Sequence, residues 1–172
     1  MATGTQPLTR DEFHERYHDC KPHYEYWFGE AIQKSKPTWL HALVQSILGE
    51  MFRRAGYKSG SELELRIDPN WEPVPDVVAT LRGIETPYPT KPVEIVVEVL
   101  SAEDRAGKTL PKCRQYTEIG IEKVFVVDPE ARDGWEWNAE AGHLERVQEL
   151  RLTNGRVITL DDVWKELDRQ LL

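Results

Sequence analysis

Two acidic residues lie inside the two most apolar stretches of the sequence. Asp76 is embedded in residues 74–78 (VPDVV), and Glu98 is embedded in residues 96–101 (VVEVLS). Short apolar runs of this kind favour strands that are covered by other parts of the fold. A carboxylate in such a strand loses several kcal/mol of solvation unless a cation or hydrogen bonds compensate it. We therefore expect both acids to have a positive partner.

The positive partner that we favour is a divalent metal ion. Two hard oxygen ligands on neighbouring strands suit Mg²⁺ or Mn²⁺, with water and a substrate phosphate in the other positions. Lys112 lies on a helix predicted after the second acid, where its ammonium could stabilise charge on a phosphate or orient an attacking water. The three residues are the parts of a phosphodiesterase. A plain turn aspartate at Asp76 and a structural salt bridge at Glu98 are the alternatives.

Hydrophobic periodicity predicts the main elements of the chain. Helices are predicted from about Thr9, where Thr9 and Glu12 form a capping box, from Thr38 to about Gly56, over 109–119 and from Asp161. Strands are predicted over 24–29, 62–67, 74–81, 93–100 and 123–128, then around 134–138, 144–150 and 156–160. The central order is therefore helix, three strands, helix, strand.

Several short motifs follow one another in a fixed order. They are Tyr24-Glu25, Gly29-Glu30, His41, Pro75-Asp76, Glu98-Val99-Leu100-Ser101, Lys112-x-x-x-Tyr116, and residues 120–129. In this order they resemble the Uma-two family of endonucleases, within the PD-(D/E)XK nuclease superfamily. The resemblance runs from about Tyr24 to Pro129, and the order of the motifs makes it more specific than any one of them.

The resemblance implies an α/β, restriction-endonuclease-like core with a mixed sheet and metal-dependent cleavage of DNA. Asp76 and Glu98 match the metal-binding acids, and with the Val99 backbone carbonyl they are expected to hold Mg²⁺ or Mn²⁺. We expect a single domain over residues 1–172 with its core at about 38–129. The additions to this core are an N-terminal helix and hairpin and a C-terminal β-hairpin and helix.

One position departs from the superfamily pattern. The residue two places after the second acid is usually lysine, and here it is Leu100, so Lys112 would be a relocated catalytic lysine. Four supporting residues also match the family: Glu25, His41, Ser101 and Tyr116. Tyr116 lies one turn after Lys112, where it could bind a phosphate or pack on the sheet; His41 could support the site or merely pack. Chemistry alone assigns no role to Glu25 or Ser101.

A competing motif lies near the N-terminus. His14-Glu15-x-x-His18 has the spacing that places two histidines on one helix face for zinc, with the glutamate as general base of a peptidase. The surrounding helix is polar, however, whereas such active-site helices are usually apolar. We expect an exposed helix without zinc, on which replacing His14 and His18 by alanine changes neither stability nor activity.

Net charge limits how the chain can bind a polyanion. The formal net charge is -8, which argues against general electrostatic attraction to nucleic acid. A local basic cluster remains, formed by Arg105, Lys108, Lys112, Arg114 and Lys123, and it could be a DNA-binding surface or a solvated helix face. DNA is the expected partner, and a homodimer is expected by analogy because cutting two strands favours two sites. A non-catalytic binding module of the same fold is the other alternative.

Cysteine content and hydropathy favour the cytoplasm. Cys20 and Cys113 are too few for a disulfide framework, and the N-terminus has no apolar run like that of a signal peptide. The longest apolar runs are strand-sized and are interrupted by Glu94 and Glu98, so we expect no membrane span.

Overall fold

The computed structural model describes residues 6–101 and 107–172. The helices are α1 (Arg10–Tyr17), α2 (Trp39–Arg54), α3 (Thr109–Glu118) and α4 (Leu160–Leu171). The strands are β1 (Tyr24–Trp27), β2 (Glu30–Gln33), β3 (Lys58–Ser61), β4 (Trp71–Glu72), β5 (Val77–Thr80), β6 (Ile95–Val99), β7 (Lys123–Asp128), β8 (Asp133–Asn138), β9 (His143–Arg146), β10 (Glu149–Arg151) and β11 (Val157–Thr159). Among these helices none is both long and apolar enough to span a bilayer.

The central sheet is mixed and has six strands in the order β3-β5-β6-β7-β8-β9. Strands β6 and β7 are parallel, and the other neighbours are antiparallel. A parallel pair needs a crossover connection, which here contains α3. The predicted α/β fold class, with a mixed sheet and the order helix, three strands, helix, strand, is confirmed.

Both faces of the sheet are covered. Helices α2 and α4 pack on one face against Val97, Val99 and other residues that point the same way, and α3 packs on the other face against Val96 and Val126. All five residues of β6 are therefore buried. Because side chains alternate between faces along a strand, Glu98 lies on the same face as Val96 and points to the α3 side.

The register of β5 and β6 brings the two acids together. Val77 pairs with Val97 and Val78 with Val96. Continuing this antiparallel register by one residue places Asp76 opposite Glu98. Side chains that are directly opposite each other project to the same face, so two acids far apart in sequence meet at one end of the sheet.

The N-terminal segment forms a second, smaller sheet against this core. Its strand order is β2-β1-β4, and β1 pairs with both neighbours in antiparallel fashion. The predicted capping box of α1 is present, with Thr9 and Glu12 exchanging hydrogen bonds. At the other terminus β10 and β11 form a hairpin, and α4 packs beside α2. The two predicted additions to the core are thus present.

The strand predicted over 62–67 is wrong. The edge strand β3 ends at Ser61, because Glu62 adopts a positive φ of 51° that breaks the ladder. The following residues do not pair in a sheet, and among residues 62–67 only Leu65 is fully buried; its N–H donates to the Pro73 carbonyl at 2.9 Å. An extended loop with one buried leucine therefore produced the strand-like pattern.

Among the described residues no group of possible metal ligands contains both histidines of the motif; His14 lies instead with Glu64 and Glu72, whose ligand atoms are within 4.8 Å of one another and of His14. The predicted exposure of His14 is wrong. His14 is partly buried and contacts Glu72, which is fully buried and also pairs with Arg10. The side chain of His18 is 48% exposed, and its carboxylate neighbour is Asp19 at 4.0 Å. The buried Glu72 explains why His14 is less exposed than predicted, because a fully desolvated carboxylate needs nearby hydrogen-bond donors to compensate its charge.

This arrangement gives His14 and His18 different effects on stability. Replacing His14 by alanine should lower the free energy of unfolding by about 1–3 kcal/mol, because Glu72 loses one of its buried partners. The same replacement at His18 should cost less than about 0.5 kcal/mol. Urea unfolding of the two variants measures both values, and equal small losses would contradict the assigned role of His14.

Candidate active site

Asp76, Glu98 and Lys112 line one small cavity of about 60 Å³. It lies at the end of β6, between the β1–β2 hairpin, the start of α2 and the first turn of α3. The wall also contains Glu25, Lys34, His41, Glu62, Val99 and Ser101. The structure thus brings together the three residues predicted as catalytic, the Val99 main chain, and three of the four supporting residues.

Asp76 is buried and receives donors from three directions. Its Oδ2 accepts the Val99 N–H at 2.7 Å, and its Oδ1 lies 2.8 Å from Lys34 Nζ and 3.3 Å from His41 Nε2. Burial on its own would raise the pKa of Asp76, but the Lys34 charge and the His41 hydrogen bond outweigh it and hold the pKa well below its usual range. Asp76 is therefore ionised.

Glu98 is equally buried but less well compensated. It accepts a hydrogen bond from the Tyr116 hydroxyl and lies 2.9 Å from Lys112 Nζ. Burial raises the pKa of Glu98 to about 7; the Lys112 charge opposes the rise, and the nearby Asp76 charge adds to it. Tyr116, the fourth supporting residue, is buried beneath the cavity and acts on it through Glu98.

Lys112 is shared between two carboxylates. Its Nζ lies 2.8 Å from Glu25 Oε1 as well as 2.9 Å from Glu98. Burial would lower the pKa of Lys112, but Glu25 and Glu98 raise it above its usual range, so the ammonium is charged. The position of α3 thus places a lysine next to the second acid even though residue 100 is leucine.

Glu25 is fixed on the hairpin by main-chain and side-chain donors. Its Oε1 accepts the Val74 N–H at 2.8 Å, and its Oε2 accepts the Trp27 indole N–H at 3.2 Å. Among the described residues, the cavity is lined by four acidic residues and four lysines: Glu25, Glu62, Asp76, Glu98, Lys34, Lys36, Lys108 and Lys112. Carboxylates and ammonium groups are in direct contact at the buried acids.

Sequence reasoning missed Lys34 and Glu62. Lys34 follows β2, has a side chain that is only 12% exposed, and donates to the Val74 carbonyl at 2.6 Å in addition to Asp76. Glu62 Oε1 lies 3.8 Å from Lys34 Nζ. The sequence feature that could have indicated Lys34 is the hairpin turning at Gly29. In this hairpin Glu25 of β1 pairs with Ile32 of β2, so the residues after β2 return to the end of the hairpin where Glu25 lies.

The donor set of the cavity fits a divalent cation. Asp76 and Glu98 offer buried, hard carboxylate oxygens, and each already contacts an ammonium group, at 2.8 and 2.9 Å respectively. In the described part of the chain, His41, Glu62 and Asp76 also have ligand atoms within 4.8 Å of one another. Buried His41 Nδ1 has no hydrogen-bond partner there. A metal at this site would thus find oxygen ligands without any change of fold.

The basic cluster predicted from the sequence does not form one surface. Lys112 is buried in the cavity, and Lys123 pairs with Glu136 on the neighbouring strand. Arg105 lies outside the described residues. Exposed Lys108 lines the cavity together with exposed Lys36, so positive charge is present on two sides of it.

Comparison with known proteins identifies the fold and then the family. A solved structure from Anabaena variabilis ATCC 29413, described as a "putative nuclease belonging to DUF820", matches with a TM-score of 0.77 at 18% sequence identity, covering 94% of this chain and 99% of that chain. The similarity at this identity shows a shared, nuclease-like fold. The family model "Uma2: Putative restriction endonuclease" matches residues 10–171. The chain belongs to the Uma2 family, as its motifs predicted. No curated protein matches it.

The role of Glu25 as partner of Lys112 can be tested by stability. Glu25→Gln preserves shape but removes the charge, so the free energy of unfolding should fall by about 1–3 kcal/mol. The matched control is Glu30→Gln, an exposed position in the same hairpin, which should change it by less than about 0.5 kcal/mol. Urea denaturation followed by tryptophan fluorescence measures both. Equal stability of the two variants would contradict the shared ion pair.

Proposed function

We propose that the chain is a metal-dependent endonuclease that hydrolyses phosphodiester bonds in DNA. The observation that carries the proposal is the meeting of Asp76 and Glu98, from two adjacent strands, at one cavity that also holds two lysine ammonium groups. Buried acids next to ammonium groups fit a cation-binding and phosphate-binding site. Membership of the Uma2 family supports a nuclease.

The residues that would hold Mg²⁺ or Mn²⁺ are Asp76, Glu98 and the Val99 carbonyl; His41 and Glu62 lie beside Asp76 but outside this proposed ligand set. When bound, the metal ion supplies charge compensation on the phosphate and a more acidic coordinated water. Val99 is well suited to join the ligands, because its N–H already bonds to Asp76 and keeps the strand end in register with that acid.

Lys112 is proposed as the catalytic cation. In the reaction a water oxygen bonds to phosphorus while the bond from phosphorus to the leaving oxygen breaks, and the leaving oxygen gains a proton. Negative charge grows on the phosphate oxygens, and a preorganised ammonium stabilises that charge. Glu25 and Glu98 hold Lys112 in place, and Tyr116 fixes Glu98. Glu25 and Tyr116 are thus positioning residues.

Access of a polyanion to an acidic protein needs a local basic region. Lys36 and Lys108 are exposed and line the cavity from different elements, Lys36 before α2 and Lys108 before α3. They can attract a phosphate backbone locally despite the net charge of -8. Because the acid pair lies in a single cavity of the described residues, cutting both strands would require a homodimer or two encounters. We propose the cytoplasm as compartment, since Cys20 and Cys113 are free thiols.

Cleavage should depend on both acids and on added metal. Purified protein should nick or linearise plasmid DNA with Mg²⁺ or Mn²⁺ and not in EDTA. Asp76→Asn and Glu98→Gln should each reduce the rate by a factor of about 100 or more, because each removes a charged ligand while preserving shape. Agarose-gel assays on variants with a native circular dichroism spectrum measure this. DNA binding without cleavage by any metal would instead favour a non-catalytic binding module.

Lys112 and Lys108 should differ in their effect on cleavage. Lys112→Met keeps most of the packing of the stem and removes the charge, so the rate should fall by about a hundredfold or more, on the scale of losing one preorganised electrostatic group. Metal affinity should stay the same or improve. Lys108→Met is the control and should cost little beyond DNA affinity. Equal losses at both positions would mean that these lysines only attract DNA.

A further inference from the structure

Lys34 occupies a place in the cavity that the proposed mechanism leaves unexplained. Its side chain is 12% exposed, and its Nζ lies 2.8 Å from Asp76 Oδ1 and 2.6 Å from the Val74 carbonyl. Burying a lysine is costly unless the ammonium is paired. A loop lysine at the end of a hairpin could easily point to solvent, yet this one points into the cavity.

The oxygen that Lys34 contacts is the one that a metal ion would need. Asp76 Oδ2 accepts the Val99 N–H from the adjacent strand, so it is engaged by the sheet itself. Asp76 Oδ1 receives only side chains: Lys34 at 2.8 Å, His41 at 3.3 Å and Gln45 at 3.4 Å. The distance to Lys34 is the shortest of the three, and the Lys34 ammonium carries a full positive charge. It therefore stands in the position of a cation bound to Asp76.

A second acceptor for Lys34 lies close by. Glu62 Oε1 is 3.8 Å from Lys34 Nζ, and the Glu62 side chain is 32% exposed. Its other neighbours are Gln45, whose Nε2 donates to Glu62 Oε1 at 3.4 Å, and His23, with 3.6 Å between His23 Nε2 and Glu62 Oε2. The flexible lysine stem allows the ammonium to move from Asp76 toward Glu62 without a change in the backbone.

We propose that Lys34 is an internal counter-cation of Asp76, which a divalent metal displaces toward Glu62 when it binds. The inference rests on the metal dependence of the proposed function and adds a residue to it. Without metal, Lys34 compensates a carboxylate that burial would otherwise destabilise. With metal, the ammonium and the ion repel each other if they share Asp76 Oδ1, so Lys34 leaves that oxygen. A positive charge thus compensates the Asp76 carboxylate both without and with the metal ion.

This role predicts opposite changes in two properties of one variant. Lys34→Met leaves Asp76 without its main cation, so the metal-free protein should unfold at a lower temperature. The same variant no longer has to displace an ammonium, so its affinity for Mn²⁺ should rise by about tenfold or more. A lysine with a merely structural role would lower both, because a loosened site binds metal less well.

The experiment is calorimetric titration of Mn²⁺ into the full chain, with thermal unfolding of the metal-free protein in parallel. Lys36→Met is the matched control, because Lys36 is an exposed lysine on the same segment that lines the same cavity. It should change Mn²⁺ affinity by less than about twofold, since its charge is screened by solvent. Unchanged or weaker Mn²⁺ binding by Lys34→Met would overturn the proposal.

Glu62 keeps the proposal testable if Lys34→Met does not fold. Glu62→Gln removes the negative charge that would attract the displaced ammonium, so it should weaken Mn²⁺ binding by about threefold or more, and unchanged affinity would overturn the exchange. The double variant Lys34→Met/Glu62→Gln separates this role from direct ligation, because the Glu62 effect should vanish without Lys34. An effect that persists would make Glu62 a ligand and overturn the exchange.

The same titration distinguishes failure of the exchange from failure of the proposed function. If the wild type binds Mn²⁺ and cuts DNA while Lys34→Met binds Mn²⁺ no more tightly, only the exchange is wrong. If the wild type binds no Mn²⁺, the metal dependence of the proposed function fails and the exchange fails with it.

Discussion

The compensation of two buried carboxylates is the constraint on which the rest of this structure depends. Asp76 and Glu98 project from adjacent strands to the same face, where desolvation opposes their charge. The cations that balance them come from outside the strands: Lys34 follows the β1–β2 hairpin, and Lys112 lies on α3. The N-terminal hairpin is therefore part of the site, because without it the first acid lacks its cation and Lys112 lacks Glu25.

Lys112 compensates the buried charge of Glu98 only in part, and this fits a binding site better than a purely structural network. A buried ion pair that exists only for stability is often no better than a hydrophobic pair of the same volume. Here the second acid keeps a pKa of about 7 because burial outweighs the help it receives from Lys112. A buried acid that is only partly compensated can gain from a cation that enters together with a phosphate.

Local patterns predicted most of the fold, and long-range contacts account for what they missed. Strand β7 over Lys123–Asp128 and helix α3 over Thr109–Glu118 match the periodicity closely, because apolar spacing reports burial on a regular element. The prediction of a strand over 62–67 failed because the sequence alternates there, although only Leu65 is fully buried and the residues do not pair in a sheet. Asp76, Glu98 and Lys112 were predicted from charge in apolar strands and from the order of the motifs. Lys34 was missed, because the hairpin at Gly29 indicates only that the chain turns back, and nothing around an ordinary loop lysine indicates that it contacts Asp76.

The central claim is that the acid pair is a metal site, and anomalous diffraction from crystals grown with Mn²⁺ tests it most directly. The account predicts an anomalous peak at roughly 2.0–2.4 Å from carboxylate oxygens of both Asp76 and Glu98, within the usual range for oxygen ligands of hard divalent ions. It also predicts that Lys34 Nζ no longer contacts Asp76 Oδ1. A peak only at His14 would contradict the account. So would well-diffracting crystals that show no peak at the acid pair and in which Lys34 still contacts Asp76.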